Sequence, residues 1–194
     1  MRIIISGPSG TGKTTLAKGI SIEFGIPYIK AGAKDLWYKH NIDNHRDLIN
    51  KSLLNPSFAL DFQLDLLNYR YKKLSQHKSY VTDRGPMDNL VYFFTQVVHN
   101  STENVATEFI YRCTDIIHEI CDKQILTLYP YNFISVENNG DRVNNKYYQL
   151  FTQQIYNWVL KYDLLEFRSG SISILPTDLQ GIQQRQLMVN KWLS

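Results

Sequence analysis

The stretch Gly7-Pro8-Ser9-Gly10-Thr11-Gly12-Lys13-Thr14 has the residue types and spacing needed to hold a phosphate. Glycine tolerates positive φ and carries no side chain, so Gly7, Gly10 and Gly12 let successive backbone N–H groups turn inward around an anion. Lys13 adds a point charge for the β- and γ-phosphates, and the Thr14 hydroxyl is suited to the coordination shell of Mg²⁺. On this chemistry the nucleotide-binding candidates are Ser9, Gly10, Thr11, Gly12, Lys13, Thr14 and Thr15. The alternative is a plain glycine-rich turn. Context decides against it, because the loop stands between the apolar run Ile3-Ile4-Ile5 and a helical pattern opening at Lys13, the strand-to-helix setting that a P-loop requires.

A second chemistry-bearing group is Asp83-Arg84, directly after the strand-like run Ser79-Tyr80-Val81-Thr82. Ligands of parallel α/β sheets sit at the carboxyl ends of the strands, so Asp83 is placed to act as a Walker-B-like carboxylate beside the P-loop. It reads as a magnesium ligand, as a base toward an acceptor hydroxyl, or as a simple helix cap. Arg84 and Arg142 are candidate cations for a moving phosphoryl group, with a surface ion pair and a solvated loop residue as their respective alternatives. Lys13, Asp83, Arg84 and Arg142 form the expected catalytic set, and Thr14 and Asp83 the expected metal site.

The elements that must position these groups follow from hydrophobic period and punctuation. Strands are expected at 2–6, 26–29, 79–82, 124–129 and 172–175. Helices are expected at 13–24, 34–40, 45–54, from Asn55-Pro56-Ser57 to about 75, 86–98, 103–121, 147–167 and 178–192. Leu60, Leu64, Leu67 and Tyr71 mark the apolar stripe of the long helix that ends at about residue 75, and Phe109, Cys113, Ile116, Ile117 and Ile120 that of 103–121. Residues 131–146 are polar and aperiodic, which suits a functional loop. Alternating strands and helices imply an α/β fold of three layers, a parallel sheet with helices on both faces, in a single domain over 1–194.

Composition narrows the classes. At 194 residues, 43% hydrophobic and 20% charged, the chain is an ordinary globular one able to bury a core. It holds no apolar run near the ~18 residues that span a bilayer, so a cytoplasmic protein without a membrane partner is expected. Cys113 and Cys121 have neither metal-ligand nor disulfide-framework spacing. A formal charge of +3 leaves no electrostatic footprint for duplex DNA and disfavours a nucleic-acid substrate.

With these residues in place the chain resembles the P-loop nucleoside and nucleotide kinases, in particular the thymidylate-kinase-like and deoxynucleoside-kinase-like group and the small AAA-type kinases that include ribosylnicotinamide kinase domains. The resemblance runs through the P-loop, the 24–43 stretch, Phe58 to Leu67, Tyr80 to Phe93 and the lid-like 138–149. It implies a five-stranded parallel sheet in the order 2-3-1-4-5, ATP and Mg²⁺ as cofactors, and a small nucleoside or nucleotide acceptor; a homodimer is compatible with the sequence, which does not fix the oligomeric state. By the same resemblance Asp83 and Arg84 face the acceptor, Tyr92 lines its pocket, Phe62-Gln63 hold a base, and Arg142 closes a lid over the phosphates. Gly85 and Asp88 depart from the thymidylate kinase pattern, where tyrosine and serine stand, so thymidylate is disfavoured as the substrate. Against a base-holding pair stands a helix with Phe62 in the core and Gln63 in solvent.

The leading reading is therefore an ATP-dependent phosphotransferase. Two alternatives stay open: a kinase of a hydroxyl on a nucleic-acid base or end, and a P-loop ATPase that switches with a protein partner. No Asn-Lys-x-Asp guanine motif supports a GTPase switch.

Overall fold

A computed structural model of the protein describes residues 1–129, 146–179 and 181–193. Its centre is a parallel sheet of β1 (Arg2–Ser6), β2 (Tyr80–Thr82), β3 (Lys123–Leu126) and β4 (Ile172–Ile174), ordered β2-β1-β3-β4. The register pairs Ile4 with Thr82 on one side and with Gln124 on the other. Side chains alternate across it as the two-residue period of a strand demands. Ile3, Ile5, Val81 and Ile125 enter one apolar layer with Leu16 and Ile20, whereas Ile4, Tyr80 and Leu126 enter the opposite layer with Leu90, Phe93 and Ile117.

Helices cover both faces. α1 (Lys13–Phe24) and α7 (Ile182–Leu193) pack on the first, and α3 (Pro56–Leu74), α4 (Pro86–Gln96), α5 (Glu103–Ile120) and α6 (Lys146–Lys161) on the second. Complete burial of a side chain such as Ile3 or Phe93 is worth about 1.5–3 kcal/mol against exposure. The short α2 (His45–Leu54) caps a third, smaller cluster of Ile42, Leu48, Phe62 and Leu66. Its start is set by Asn44, whose side chain accepts from the Asp47 N–H at 3.0 Å, and that of α3 by Asn55, which accepts from Phe58 at 3.2 Å.

The sheet has four strands among the described residues, not five. Residues 26–29, expected as a strand, make an isolated parallel bridge between Tyr28 and Val81, through the Ile29 N–H to Val81 O at 2.9 Å and the Val81 N–H to Pro27 O at 3.0 Å. Gly25 turns the chain at φ 62° and Pro27 has no N–H to give, so the pairing cannot extend. The bridge nevertheless occupies the outer flank of β2.

Other boundaries shift. The expected 34–40 helix is a 3₁₀ turn at Ala33–Leu36, α4 stops at Gln96 before a second 3₁₀ turn at Val98–Asn100, and α6 ends at Lys161 instead of 167. The expected lid, 131–146, lies outside the described residues apart from Lys146, which opens α6. Both cysteines are free, and no described helix is long and apolar enough to cross a membrane.

Candidate active site

The loop from Gly7 to Gly12 leaves β1 and enters α1 with Gly7, Gly10 and Gly12 at φ 142°, 86° and 80°. Gly7 is required for a second reason: a Cβ there would lie 2.0 Å from Thr127 O. Thr127, just past β3, holds the loop from below. Its N–H donates to Ser6 O at 2.9 Å, and its hydroxyl pairs with that of Thr11 at 2.7 Å. The Tyr129 hydroxyl donates to Ser9 O, and Arg185 of α7 donates through Nη1 to Thr11 O at 2.7 Å. Three side chains, two after β3 and one on α7, thus fix a loop that contains no strand or helix of its own.

This loop fits a polyphosphate. α1 begins at an uncapped Gly12 and has no acidic residue in its first turn, so its leading N–H groups and positive dipole end are left for an anion. Lys13 is buried, its ammonium donating to Pro8 O at 2.5 Å inside the loop. Next to it Thr14 donates its hydroxyl to Asp83 Oδ2. These two oxygens suit Mg²⁺, which binds through one or two protein oxygens and takes the rest from phosphates and water. Among the described residues no group of three His, Cys, Asp or Glu side chains could hold a metal alone.

Tyr28, on the bridge beside β2, also hydrogen-bonds Asp83; burial, and then the neighbouring carboxylate, push its phenol well above the ordinary tyrosine range. Sequence reasoning missed Tyr28, because its segment reads only as a strand.

Arg84 turns inward. Its Nη1 donates to Gly7 O at 3.1 Å and to Asp88 Oδ1 at 2.7 Å. Asp88 has no solvent exposure, and it also accepts from Ser6 Oγ at 2.6 Å, the Gly85 N–H at 2.9 Å and Tyr156 OH at 2.7 Å. Burial alone would raise the Asp88 carboxyl, but Arg84, Arg70 and Lys13 together hold it below the usual carboxylate range. Asp88 in turn lifts the Arg84 guanidinium above its ordinary value against the opposing effect of burial. Gly85 is needed at the turn between them, since a Cβ would come within 2.5 Å of Ile4 Cγ2.

Behind this pair lies a buried polar layer. Arg70 donates to Ala31 O and Gly85 O, both at 3.2 Å, and to Asn89 Oδ1. Asn89 donates to the Gln63 carbonyl and to Gln63 Oε1 at 3.2 Å, and Gln63 reaches Gln96 at 3.4 Å. Gln63 is therefore buried and not in solvent. Phe62, its neighbour, is buried in the third cluster with its ring 5.1 Å edge-on to His40. Tyr92 is half-buried on α4. Arg142 lies outside the described residues.

The structure thus brings Lys13, Thr14, Asp83 and Arg84 together around the loop. Asp88, Arg70, Asn89 and Tyr156 were not singled out as site residues by their spacing. Two hollows elsewhere, about 510 Å³ beside Phe94 and Trp158 and about 560 Å³ beside His40 and Asp65, are lined by none of these groups.

A family model described as an AAA domain matches residues 2–172. The chain belongs to that family. Over 75 residues it is 40% identical to the cytidylate kinase of Sulfolobus acidocaldarius, covering 38% of this chain and 40% of the relative. Over 95 residues it is 33% identical to the adenylate kinase of Kosmotoga olearia, covering 44% and 40%. The aligned parts span well under half of these curated relatives. Among solved structures this AAA domain superposes on deoxyadenosine kinase from M. mycoides with bound dATP, with a TM-score of 0.64 and 19% identity over 100% of both chains. It superposes on NadR in complex with NR, with a TM-score of 0.65 and 14% identity over 99% of this chain and 50% of the other. The resemblance to P-loop nucleoside and nucleotide kinases holds in fold, and parts of the chain are similar in sequence to curated nucleotide kinases.

Proposed function

We propose that this AAA domain transfers the γ-phosphoryl group of ATP to a nucleoside, a nucleotide or a related small acceptor. The observation that carries the reading is the contact between Thr14 and Asp83 beside Lys13. A bare phosphate cradle needs no carboxylate at the end of the neighbouring strand, whereas phosphoryl transfer needs one for its metal or its acceptor. Mg²⁺, when bound with the nucleotide, would supply neutralisation of the phosphate charge at Thr14 and Asp83. Lys13 and the N-terminus of α1 hold the phosphates, and Arg84, bonded to Gly7 O, offers a further cation. Arg142 is proposed for the same task from its place in the lid-like sequence.

The acceptor is proposed to enter on the side of α3 and α4, where Gln63 and Tyr92 meet it and Phe62 backs the wall from the core. Gln63, buried and bonded to Asn89 and Gln96, has the donor and acceptor that a base edge pairs with and would meet it by exchanging those partners. Curated relatives named as cytidylate and adenylate kinases favour the nucleotide class. A kinase of hydroxyls on nucleic acid is disfavoured by the modest charge.

The test is ATP consumption with Mg²⁺ across nucleosides, nucleoside monophosphates, nicotinamide riboside and hydroxymethylated DNA, with Asp83→Asn as the control. Turnover is expected with one acceptor class and is lost in the variant. Hydrolysis that ignores every acceptor would overturn the reading in favour of an ATPase switch.

A further inference from the structure

Asp88 makes more contacts than a helix cap needs. Sitting three residues after Gly85, it accepts that residue's N–H and so caps α4. That uses one of four hydrogen bonds. Each carboxylate oxygen takes two: Oδ2 from Ser6 and Gly85, Oδ1 from Arg84 and Tyr156. With both oxygens filled and no exposure, the group cannot rotate without abandoning several charge-assisted bonds in a low-dielectric site.

What this rigidity holds is Arg84. The guanidinium commits only Nη1, shared between Asp88 and Gly7 O; Nε and Nη2 have no hydrogen-bonding protein partner among the described residues, and the side chain keeps 20% exposure. Tyr156 of α6 braces the same point from the far side, its hydroxyl 2.7 Å from Asp88 Oδ1 and 3.2 Å from Gly7 O. One buried carboxylate faces Arg84, Arg70 and Lys13.

We infer that Asp88 is a positioning residue, clamping the Arg84 guanidinium onto the first carbonyl of the phosphate loop so that its remaining donors are held for the terminal phosphate of a nucleoside triphosphate. This rests on the nucleotide-binding part of the proposed function and not on the acceptor.

The experiment is calorimetric binding of two Mg²⁺ complexes, that of a non-hydrolysable ATP analogue and that of ADP, to the wild type, Arg84→Met, Asp88→Asn, the double variant and Tyr156→Phe. Arg84→Met is expected to weaken the analogue by roughly ten- to a hundredfold, the range for a hydrogen bond to a charged group, with ADP unchanged. Asp88→Asn should reproduce most of that loss, and the double variant should be no worse than Arg84→Met, because both changes remove one contact. Equal weakening of the analogue and ADP in Asp88→Asn, or losses that multiply in the double variant, would overturn the inference.

Should Asp88→Asn fail to fold, Tyr156→Phe decides, since it keeps the ion pair and removes one brace. A smaller loss confined to the analogue supports the clamp, and no loss overturns it. No acceptor is present, so the two readings fail separately. A protein that discriminates the nucleotides in this way yet phosphorylates nothing refutes the kinase and keeps the clamp, whereas turnover with insensitive affinities does the reverse.

Discussion

Thr14 and Asp83, 69 positions apart, meet through a hydrogen bond from hydroxyl to carboxylate at the carboxyl ends of neighbouring strands. Neither residue reaches the other through local structure. The pairing exists because β1 and β2 lie side by side in parallel register, so the residue after β2 arrives beside the first turn of α1. This is a property of the sheet, and it converts two weak sequence signals into one site.

The first prediction tests that pairing. Asp83→Asn keeps the shape and an acceptor oxygen but removes the charge, and Thr14→Ala removes the hydroxyl. Each should lower turnover by about 10²–10³-fold, the typical cost of a preorganised polar group at a reacting phosphate. The Mg²⁺ concentration for half-maximal activity should rise in both. A magnesium titration at saturating ATP measures this, and thermal melting should move little because Thr14 is exposed and Asp83 is half-exposed. A fall in turnover with unchanged magnesium dependence would favour Asp83 as a base.

Gly7→Ala tests the cradle. At φ 142° with a prospective Cβ 2.0 Å from Thr127 O, alanine has no unstrained place, and either the loop or the end of β3 must move. ATP binding should be lost, with a stability cost on the order of 1–3 kcal/mol for a forced backbone. Gly25→Ala is the comparison: φ is 62° and nothing lies within 4 Å. Its cost should be near 1 kcal/mol, with nucleotide binding intact by equilibrium titration.

Phe62 and Gln63 are adjacent but should fail differently. Phe62→Ala empties a core position between Leu48, Leu66 and the His40 ring, at a cost of about 3–5 kcal/mol in denaturant unfolding. Gln63→Ala leaves the Asn89 amide with the Gln63 carbonyl alone, at a cost of about 1–3 kcal/mol. The Gln63 variant should also raise KM for the acceptor while leaving KM for ATP unchanged. Equal KM values for wild type and variant would remove Gln63 from the acceptor site.

The P-loop, the parallel alternation and Asp83 were readable because each depends on local pattern. The stripe on α5 was readable for the same reason, and Phe109, Cys113, Ile116, Ile117 and Ile120 are all buried there. α3 was harder. Its most buried residues include Ala59, Phe62, Gln63, Leu66, Leu67, Arg70 and Leu74; of the stripe expected through Leu60, Leu64, Leu67 and Tyr71, Leu67 is fully buried and the other three pack half-buried against the core, while the polar Gln63 and Arg70 disguise the rest of the buried face. In the sequence Asp88 stands out only as a departure from the thymidylate kinase pattern. Its function depends on Ser6 and Tyr156, far from it in sequence, and no spacing rule brings those together. The fifth strand was expected from Ile26 to Ile29, but its apolar residues serve the edge bridge that sets Tyr28 against Asp83.

Acid stability provides the last test, because the Asp88 carboxyl is held below its ordinary value by named donors. A carboxyl with a lower pKa in the folded state stabilises the fold in full above the unfolded carboxylate range, near pH 4. That contribution is lost as pH falls from the unfolded value through the folded one, since over that interval the unfolded chain binds a proton that the folded chain does not. Each such group changes the slope of stability against pH by up to about 1.4 kcal/mol per pH unit. Asp122, paired with Arg2 at 2.6 Å, acts in the same direction but is more exposed, so salt should screen it first. Ser6→Ala removes one donor to Asp88 Oδ2 without adding or removing charge. The folded Asp88 value should rise toward the unfolded one, so the acid-dependent loss of stability should be smaller, and end at higher pH, than in the wild type. Urea unfolding at intervals from pH 7 to 3 in high salt reads this directly. An acid profile unchanged by Ser6→Ala would mean that the arginines alone set the Asp88 charge.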